Sequence, residues 1–317
     1  MNTPDTMDPD FAAVGQLLAA EGLRAPSMLT APIAEVRAMQ DRIGTFMARG
    51  SVPLRSERDV SLPLAQGRSV RATLYRPDGA ALAPVLVYMH GGGFSQGTPP
   101  TWAPLARRVV RESGAAVLSL DYSLAPESPF PRALEEVTGA VRALPLLAAE
   151  LGLDVDRVAL GGDSAGANLA LAAAMTLRDQ GLASLRFLLL FYGVYSSDLT
   201  SASWQELGQG QYGLSVQTMR RIWLNYTGQE VPAGDWRVTP LEGDFRGLPP
   251  TWACVGTLDP LRDDNRQLQQ RMHDAGGSCA LRICSGLPHA FVRHVARVPA
   301  VDAAIDEGAH ALATAFA

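Results

Sequence analysis

The sequence predicts an α/β fold, a mostly parallel sheet covered by helices on both faces. Three observations carry that expectation. Short continuous apolar runs recur at 84 to 89, 115 to 120, 157 to 161, 186 to 192, 251 to 255 and 280 to 284, as strands buried on both faces require. Stretches with helical spacing separate them. A chain of 317 residues, 47% hydrophobic and 19% charged, can bury a core of that size and lies far from disordered or fibrous composition.

Two amphipathic helices precede any strand. The first spans 8 to 22, with Phe11, Val14, Leu17 and Leu18 on one face, and the second 32 to 49, with Ile33, Val36, Ile43, Phe46 and Met47. From about residue 51 the pattern becomes alternation (Val70, Ala72, Leu74), with Gly67 and a Pro77-Asp78-Gly79 turn suggesting a hairpin. The strand rhythm then continues until it breaks between 195 and 246. That stretch holds a Gly/Gln/Tyr-rich segment, Gly208 to Gly213, and an amphipathic helix, VQTMRRIWLNY. A long excursion inside a compact α/β sheet usually inserts over an active-site face. The expected organisation is N-terminal helices over 1–50, an α/β domain over 51–194 and 247–317, and an insertion over 195–246, the first and last combining as a lid. Repeats and low-complexity segments are not found.

Charge narrows the functional classes. The 27 basic residues are all Arg, against 32 acidic ones, so a Schiff-base lysine and a P-loop lysine are both excluded. A net charge of −5 without a basic run speaks against a nucleic-acid or anionic-membrane partner and for a small uncharged one. The N-terminus, MNTPDTMDPDFAAVGQ, has no positive segment before an apolar stretch, and no apolar run reaches the roughly 18 to 20 residues of a membrane span. A cytoplasmic location is expected. Cys254, Cys279 and Cys284 lack metal spacing and form an odd set, which fits reduced, buried thiols.

Two glycine clusters bear on the chemistry. HGGGF, 90 to 94, follows the run PVLVYM, and bare backbone there serves either a phosphate or the oxyanion of acyl transfer. LGGDSAGANLALAAA, 160 to 174, follows the strand DRVAL and contains Gly162-Asp163-Ser164-Ala165-Gly166. This is a G-x-S-x-G match at a strand-to-helix junction, the context in which a sharp turn lifts a serine Oγ out of a sheet. Phosphate fits the same residues poorly. Lys is absent after Gly166, the G-x-G-x-x-G spacing is missing, and Asp163 would repel a pyrophosphate. By itself the motif is also compatible with Ser164 as a plain helix N-cap.

A serine nucleophile needs a base and an acid to orient it. Of the five histidines, His90 opens the glycine run and reads as a loop support. His273 lies in a polar helical stretch and His310 on the solvent face of an Ala-rich helix. His294 stands five residues from His289, without the i, i+4 spacing of a metal pair. His289 remains, in the Gly/Pro loop SGLPHAF just after the strand ALRIC. For the acid, GTLDPLRDD offers Asp259 at a strand end before a Pro expected to start the next helix, whereas Asp263 and Asp264 are explained by capping and dipole compensation in that helix's first turn. The order Ser164, Asp259, His289 is that of the α/β-hydrolase fold. The HGGG run can then supply oxyanion donors together with Ala165.

On HGGGF (90 to 94), DYSLAPE (121 to 127), GDSAGANLA (162 to 170), DPLRDD (259 to 264) and the GLPHAF loop, the chain resembles the hormone-sensitive-lipase-like group of α/β hydrolases, the bacterial family IV esterases and arylacetamide deacetylases. The resemblance covers residues 84 to 294. It implies an α/β-hydrolase fold with a helical cap made from the N-terminal helices and the 195–246 insertion. It implies a serine carboxylesterase with Ser164 as nucleophile, His289 as base, Asp259 as orienting acid, and Gly92, Gly93 and Ala165 as the oxyanion hole. It assigns Asp121 and Glu127 to tying the DYSLAPE loop beneath the oxyanion loop. It also points to a homodimer through the edge strand near 280 to 284, which the sequence itself does not establish. The chain departs from relatives in having Ala290 after His289 and Asp263-Asp264-Asn265 where Asp-Glu-Gly is usual, which bears on pocket shape.

No metal or organic cofactor is called for. Phe94 beside the oxyanion glycines, and Met219 and Trp223 on the insertion helix, are the candidate substrate contacts, in a pocket expected to be apolar. As no Arg is tied by a motif to the site, an anionic substrate has no evident clamp. The expected substrates are short- to medium-chain acyl esters. An amidase or deacetylase acting on N-acyl aryl amides with the same triad is the first alternative. A receptor that binds without turnover is the second.

Overall fold

A computed structural model describes residues 6–182 and 185–317. The first five residues of the acidic N-terminal stretch lie outside these. Eight strands form one sheet in the order β1-β2-β4-β3-β5-β6-β7-β8. The hairpin β1 (Ser56–Pro63) and β2 (Ser69–Arg76) opens it, and β2 pairs antiparallel with both β1 and β4 (Ala116–Asp121). The remaining neighbours are parallel: β3 (Ala83–Met89), β5 (Leu153–Asp163), β6 (Leu185–Phe191), β7 (Thr251–Leu258) and β8 (Cys279–Pro288). Each of the six apolar runs seeds one of β3 to β8.

The chain leaves β3 for β4 on one side and reaches β5 on the other. Connections that part in opposite directions leave a crevice at the carboxyl ends of the strands. Every motif singled out in the sequence empties into that edge.

Helices α3 (Ala103–Ser113) and α9 (Pro299–Phe316) cover one face through Val109, Val110, Ile305 and Leu312. Helices α4 (Arg132–Leu151) and α5 (Ala165–Asp179) cover the other through Val137, Leu144, Leu171 and Met175. Helix α5 is apolar almost all round, and every residue from Ala165 to Met175 is buried, as an interior helix must be. Helix α8 (Arg262–Asp274) completes that face. It begins at Arg262, two residues later than the expected start at Pro260.

The N-terminal helices are α1 (Pro9–Ala20), capped by the Asp8 side chain accepting from Phe11 N at 2.9 Å, and α2 (Ile33–Met47). The 195–246 insertion carries α6 (Ala202–Leu207) and α7 (Val216–Thr227), the latter capped by Ser215 accepting from Thr218 N. Arg37 of α2 fixes that helix over the sheet edge. Its guanidinium donates to Ser95 O at 2.7 Å, to Ala125 O at 2.9 Å, and to both oxygens of Glu127 at 2.8 and 2.7 Å.

This pattern corrects the role expected of the DYSLAPE acids. Glu127 is exposed and ties the loop to α2, while Asp121 accepts from Arg71 across β2 and β4 at 2.6 Å. The tie to the glycine loop falls to neutral groups in the same motif: Tyr122 OH donates to His90 O at 2.8 Å and Ala125 N to Phe94 O at 2.9 Å. Among the described residues no helix is long and apolar enough to cross a membrane, and no group of three or more His, Cys, Asp or Glu is placed to hold a metal ion.

Candidate active site

Strand β5 ends at Asp163 and α5 starts at Ala165, so Ser164 alone turns the chain. It does so at φ 53° and ψ −116°, a backbone state that costs an L-residue on the order of 1–3 kcal/mol. The turn requires bare neighbours. A Cβ on Gly166 would fall on the carbonyl oxygen of Met89 in β3. Ser164 makes no side-chain cap bond to α5, which disposes of the plain N-cap. Its Oγ lies 2.9 Å from Nε2 of His289 instead.

His289 follows the end of β8, and its Nδ1 is 2.8 Å from Oδ2 of Asp259. Asp259, fully buried at the end of β7, accepts from Leu261 N through its other oxygen at 2.9 Å. A carboxylate at Nδ1 places the imidazole proton there and leaves Nε2 as the acceptor facing the serine hydroxyl. The Tyr192 ring meets the imidazole edge-on, 5.0 Å between centroids. Three residues separated in sequence thus form one hydrogen-bonded chain because β5, β7 and β8 run parallel in one sheet and end at the same edge.

The glycine loop leaves β3 next to this turn. Gly91 N donates to Asp163 Oδ1 at 2.8 Å, so its N–H is committed. The N–H groups of Gly92, Gly93 and Ala165 have no acceptor among the described residues. Gly92 holds φ 121°, and a Cβ there would meet the Gln96 carbonyl, which is why the loop needs glycine at that position. His90 is buried and its pKa is drawn down to about 4 by burial. Its Nδ1 lies 2.8 Å from Gly91 O, to which it donates, so the ring supports the loop as the sequence suggested.

Asp163 matters more than the sequence indicated, where it served only to argue against phosphate. It is buried and accepts from Tyr88 OH at 2.8 Å, Gly91 N at 2.8 Å and Tyr192 OH at 3.2 Å. Burial pushes its carboxyl above the usual range. Asp264 likewise exceeds dipole compensation. It is buried, accepts from Tyr195 N and Ser196 N at 3.0 and 3.1 Å, and is pushed up to about 7 by burial. It straps the exit of β6, where the insertion begins, onto α8. Asp263 caps α6 by accepting from Ser203 N at 2.8 Å.

A cavity of about 210 Å³ opens on Ser164 and His289. Larger hollows exist, such as a groove of about 520 Å³ between the β1–β2 connection and α4, but it contains none of these groups. Met219 lines the small cavity; Phe94 and Trp223 do not. Phe94, at φ 57°, turns its ring away from the cavity and stacks it on Tyr226 of α7, 3.7 Å between centroids and 11° between planes, with Trp223 at 5.8 Å. Adjacency in sequence to Gly92 and Gly93 misled because the backbone reverses there. Ile222 and Leu214 take the place expected of those two residues.

The cavity is also less apolar than expected. Gln40 of α2, Gln96, Tyr212, Thr218 and Arg293 share its lining. Arg293 stands in the lining although no motif ties an Arg to the site. The signal was present, a lone cation in the apolar run AFVRHV four residues after His289, but no motif drew attention to it.

Known proteins agree with this architecture. The family model describing the alpha/beta hydrolase fold matches residues 86–293. An acetyl esterase of Salmonella schwarzengrund (strain CVM19633) is 32% identical over 264 residues, 81% of this chain and 80% of its own length. A hyperthermophilic esterase from Pyrobaculum calidifontis superposes with a TM-score of 0.91 at 28% identity, over 98% of each chain. A thermostable carboxylesterase cloned from a metagenomic library gives 0.87 at 32% identity, over 92% of this chain and 100% of that one.

Proposed function

This chain belongs to the α/β-hydrolase family, in its hormone-sensitive-lipase-like branch, and on that premise we propose that it hydrolyses carboxylic esters of small acyl groups through Ser164. Ser164 Oγ attacks the ester carbonyl while His289 Nε2 takes its proton. Asp259 keeps the imidazole in the required tautomer and stabilises the imidazolium. The N–H groups of Gly92, Gly93 and Ala165 receive the negative charge that develops on the carbonyl oxygen, each such donor being worth roughly 3 to 4 kcal/mol of barrier. The alcohol leaves with the proton from His289. Water, deprotonated by the same imidazole, then releases the acid from the acyl-enzyme. None of these steps requires a cofactor.

The observation carrying the proposal is the bond from Ser164 Oγ to His289 Nε2 and on to Asp259, set beside three N–H groups without acceptors among the described residues. Acyl size follows from the cavity. About 210 Å³ is below the usual range for drug-sized ligand pockets and favours acetyl to butyryl over long chains.

The test compares purified wild type and Ser164→Ala on p-nitrophenyl esters of increasing acyl length, with the matching anilide alongside. Expected are fast turnover of acetate and butyrate, decline beyond medium chains, and at least about a 10⁴-fold loss in the variant with unchanged circular dichroism. Anilide turnover matching the ester would move the assignment to an amidase. Ligand binding by folded wild type without any ester or amide turnover would move it to a receptor.

A further inference from the structure

The polar wall of the cavity is built around a cation. Arg293, on the turn Phe291–His294, lines the cavity and its guanidinium lies over the Trp102 ring, 4.9 Å from the centroid. It donates to the side-chain oxygen of Gln40 and, at 3.5 Å, to the Gln40 carbonyl. Both acceptors are neutral. No carboxylate forms an ion pair with Arg293 among the described residues. The carboxylates that act on it, Asp163 and Asp41, do so from beyond ion-pair distance. Asp163 moreover has its oxygens taken by Tyr88, Gly91 and Tyr192. The other charged or titratable neighbours are Tyr192, whose phenol burial keeps protonated and which donates to Asp163, His90, itself neutral, and His294 and Arg297, which add no negative charge.

A second observation comes from the same wall. Trp102 is 5% exposed and lines the cavity, and its buried indole N–H has no partner among the described residues. Gln96, also in the lining, leaves its buried side-chain oxygen unpartnered while its amide nitrogen reaches only Met28 Sδ at 3.8 Å; the opposite amide orientation would present a further donor. A guanidinium keeps its charge inside a protein and carries five N–H donors in a planar fork. Leaving such a group against neutral acceptors, beside an orphaned N–H, costs free energy that a bound acceptor would recover.

Resting on the ester-hydrolase reading above, we propose that this wall is a carboxylate subsite and that the preferred substrates are small esters carrying a carboxylate, held by the Arg293 fork with the Trp102 N–H alongside. Gln40 sets the guanidinium's orientation from α2. The carboxylate displaces neither the oxyanion donors nor the Ser164–His289 pair, as none of their atoms bonds to Arg293.

The test measures kcat/KM for anionic and neutral esters of matched shape, after subtraction of spontaneous hydrolysis. p-Nitrophenyl hemisuccinate against p-nitrophenyl isocaproate places the charge on the acyl side. para-Acetoxybenzoate against para-acetoxybenzamide places it on the alcohol side. Wild type is expected to favour the anion in one of the two pairs by about tenfold or more, and Arg293→Gln to reduce that ratio by about ten- to a hundredfold. Arg293→Lys restores part of it, because the charge returns without the fork. A purely structural Arg293 would lower both members of a pair alike and leave the ratio unmoved, overturning the proposal. Neutral esters turned over as well as or better than the anionic ones by wild type would overturn it too, with the hydrolase reading intact. No turnover of any ester would overturn both. Should Arg293→Gln not fold, calorimetry on Ser164→Ala decides. Benzoate binding at least about tenfold tighter than benzamide supports the subsite, and equal binding removes it.

Discussion

The floor of the site and its roof are held in opposite ways. The floor consists of the ends of β3, β5, β7 and β8, where backbone packs on backbone. A side chain at Gly92 or Gly166 would strike a main-chain carbonyl, and Asp259 and Asp163 spend their oxygens on fixed N–H and O–H donors. The roof, α2 and α7, is held by side chains reaching across from one element to another: Arg37 to the loops below, and Phe94 stacked on Tyr226. Chemistry demands fixed geometry in the floor, whereas the roof only has to shape a volume.

Substitutions test that difference, beginning in the floor. Asp259→Asn keeps size and shape but no longer dictates the Nδ1–H tautomer of His289. A fall in kcat of about 10³- to 10⁴-fold is expected with little change in KM for the acetate ester. A loss under tenfold would mean that the imidazole is oriented by something else.

Asp264 joins floor to roof, and its effect is on stability. Its folded pKa of about 7 stands above the ordinary 3.8, so the fold favours the protonated acid. Its contribution is therefore complete below about pH 4 and is lost as pH rises through about 7. Denaturant titrations of wild type and Asp264→Asn should diverge across that window by up to a few kcal/mol, with wild type relatively stronger at the acid end. Parallel pH profiles for the two proteins would refute the raised pKa.

The smallest effect belongs to the roof. Arg37→Ala leaves Ser95 O and Ala125 O without their donor, a cost of about 1–3 kcal/mol. The exposed Glu127 adds little, as surface ion pairs do. KM for small esters should rise severalfold while kcat stays within about twofold. A large drop in kcat would show the roof to be as tightly coupled to the chemistry as the floor.

The same division explains what the sequence disclosed. Floor positions are dictated by local backbone needs: Ser164 by its turn, the glycines by close approach, Asp259 and His289 by strand ends. Those needs leave short motifs, and the structure brings the residues so marked together. Strands β3 to β8 were readable because double-sided burial leaves an unbroken apolar run. The roof depends on where distant side chains meet, which one chain does not record. Phe94 sits beside Gly92 and Gly93 in sequence but turns its ring onto α7, while Arg293 joins Gln40 across 253 residues. Asp264 reads as an ordinary first-turn acid until the loop after β6 is seen folded over it.

The shared anchor at Asp163 has a consequence in time as well as in space. One carboxylate holds the glycine loop through Gly91, β3 through Tyr88 and the segment after β6 through Tyr192. The loop cannot lift without breaking bonds that also hold the sheet. The Gly91 amide should therefore exchange its hydrogen for deuterium only as fast as the central strands do, and heating should end activity and cooperative folding at the same temperature.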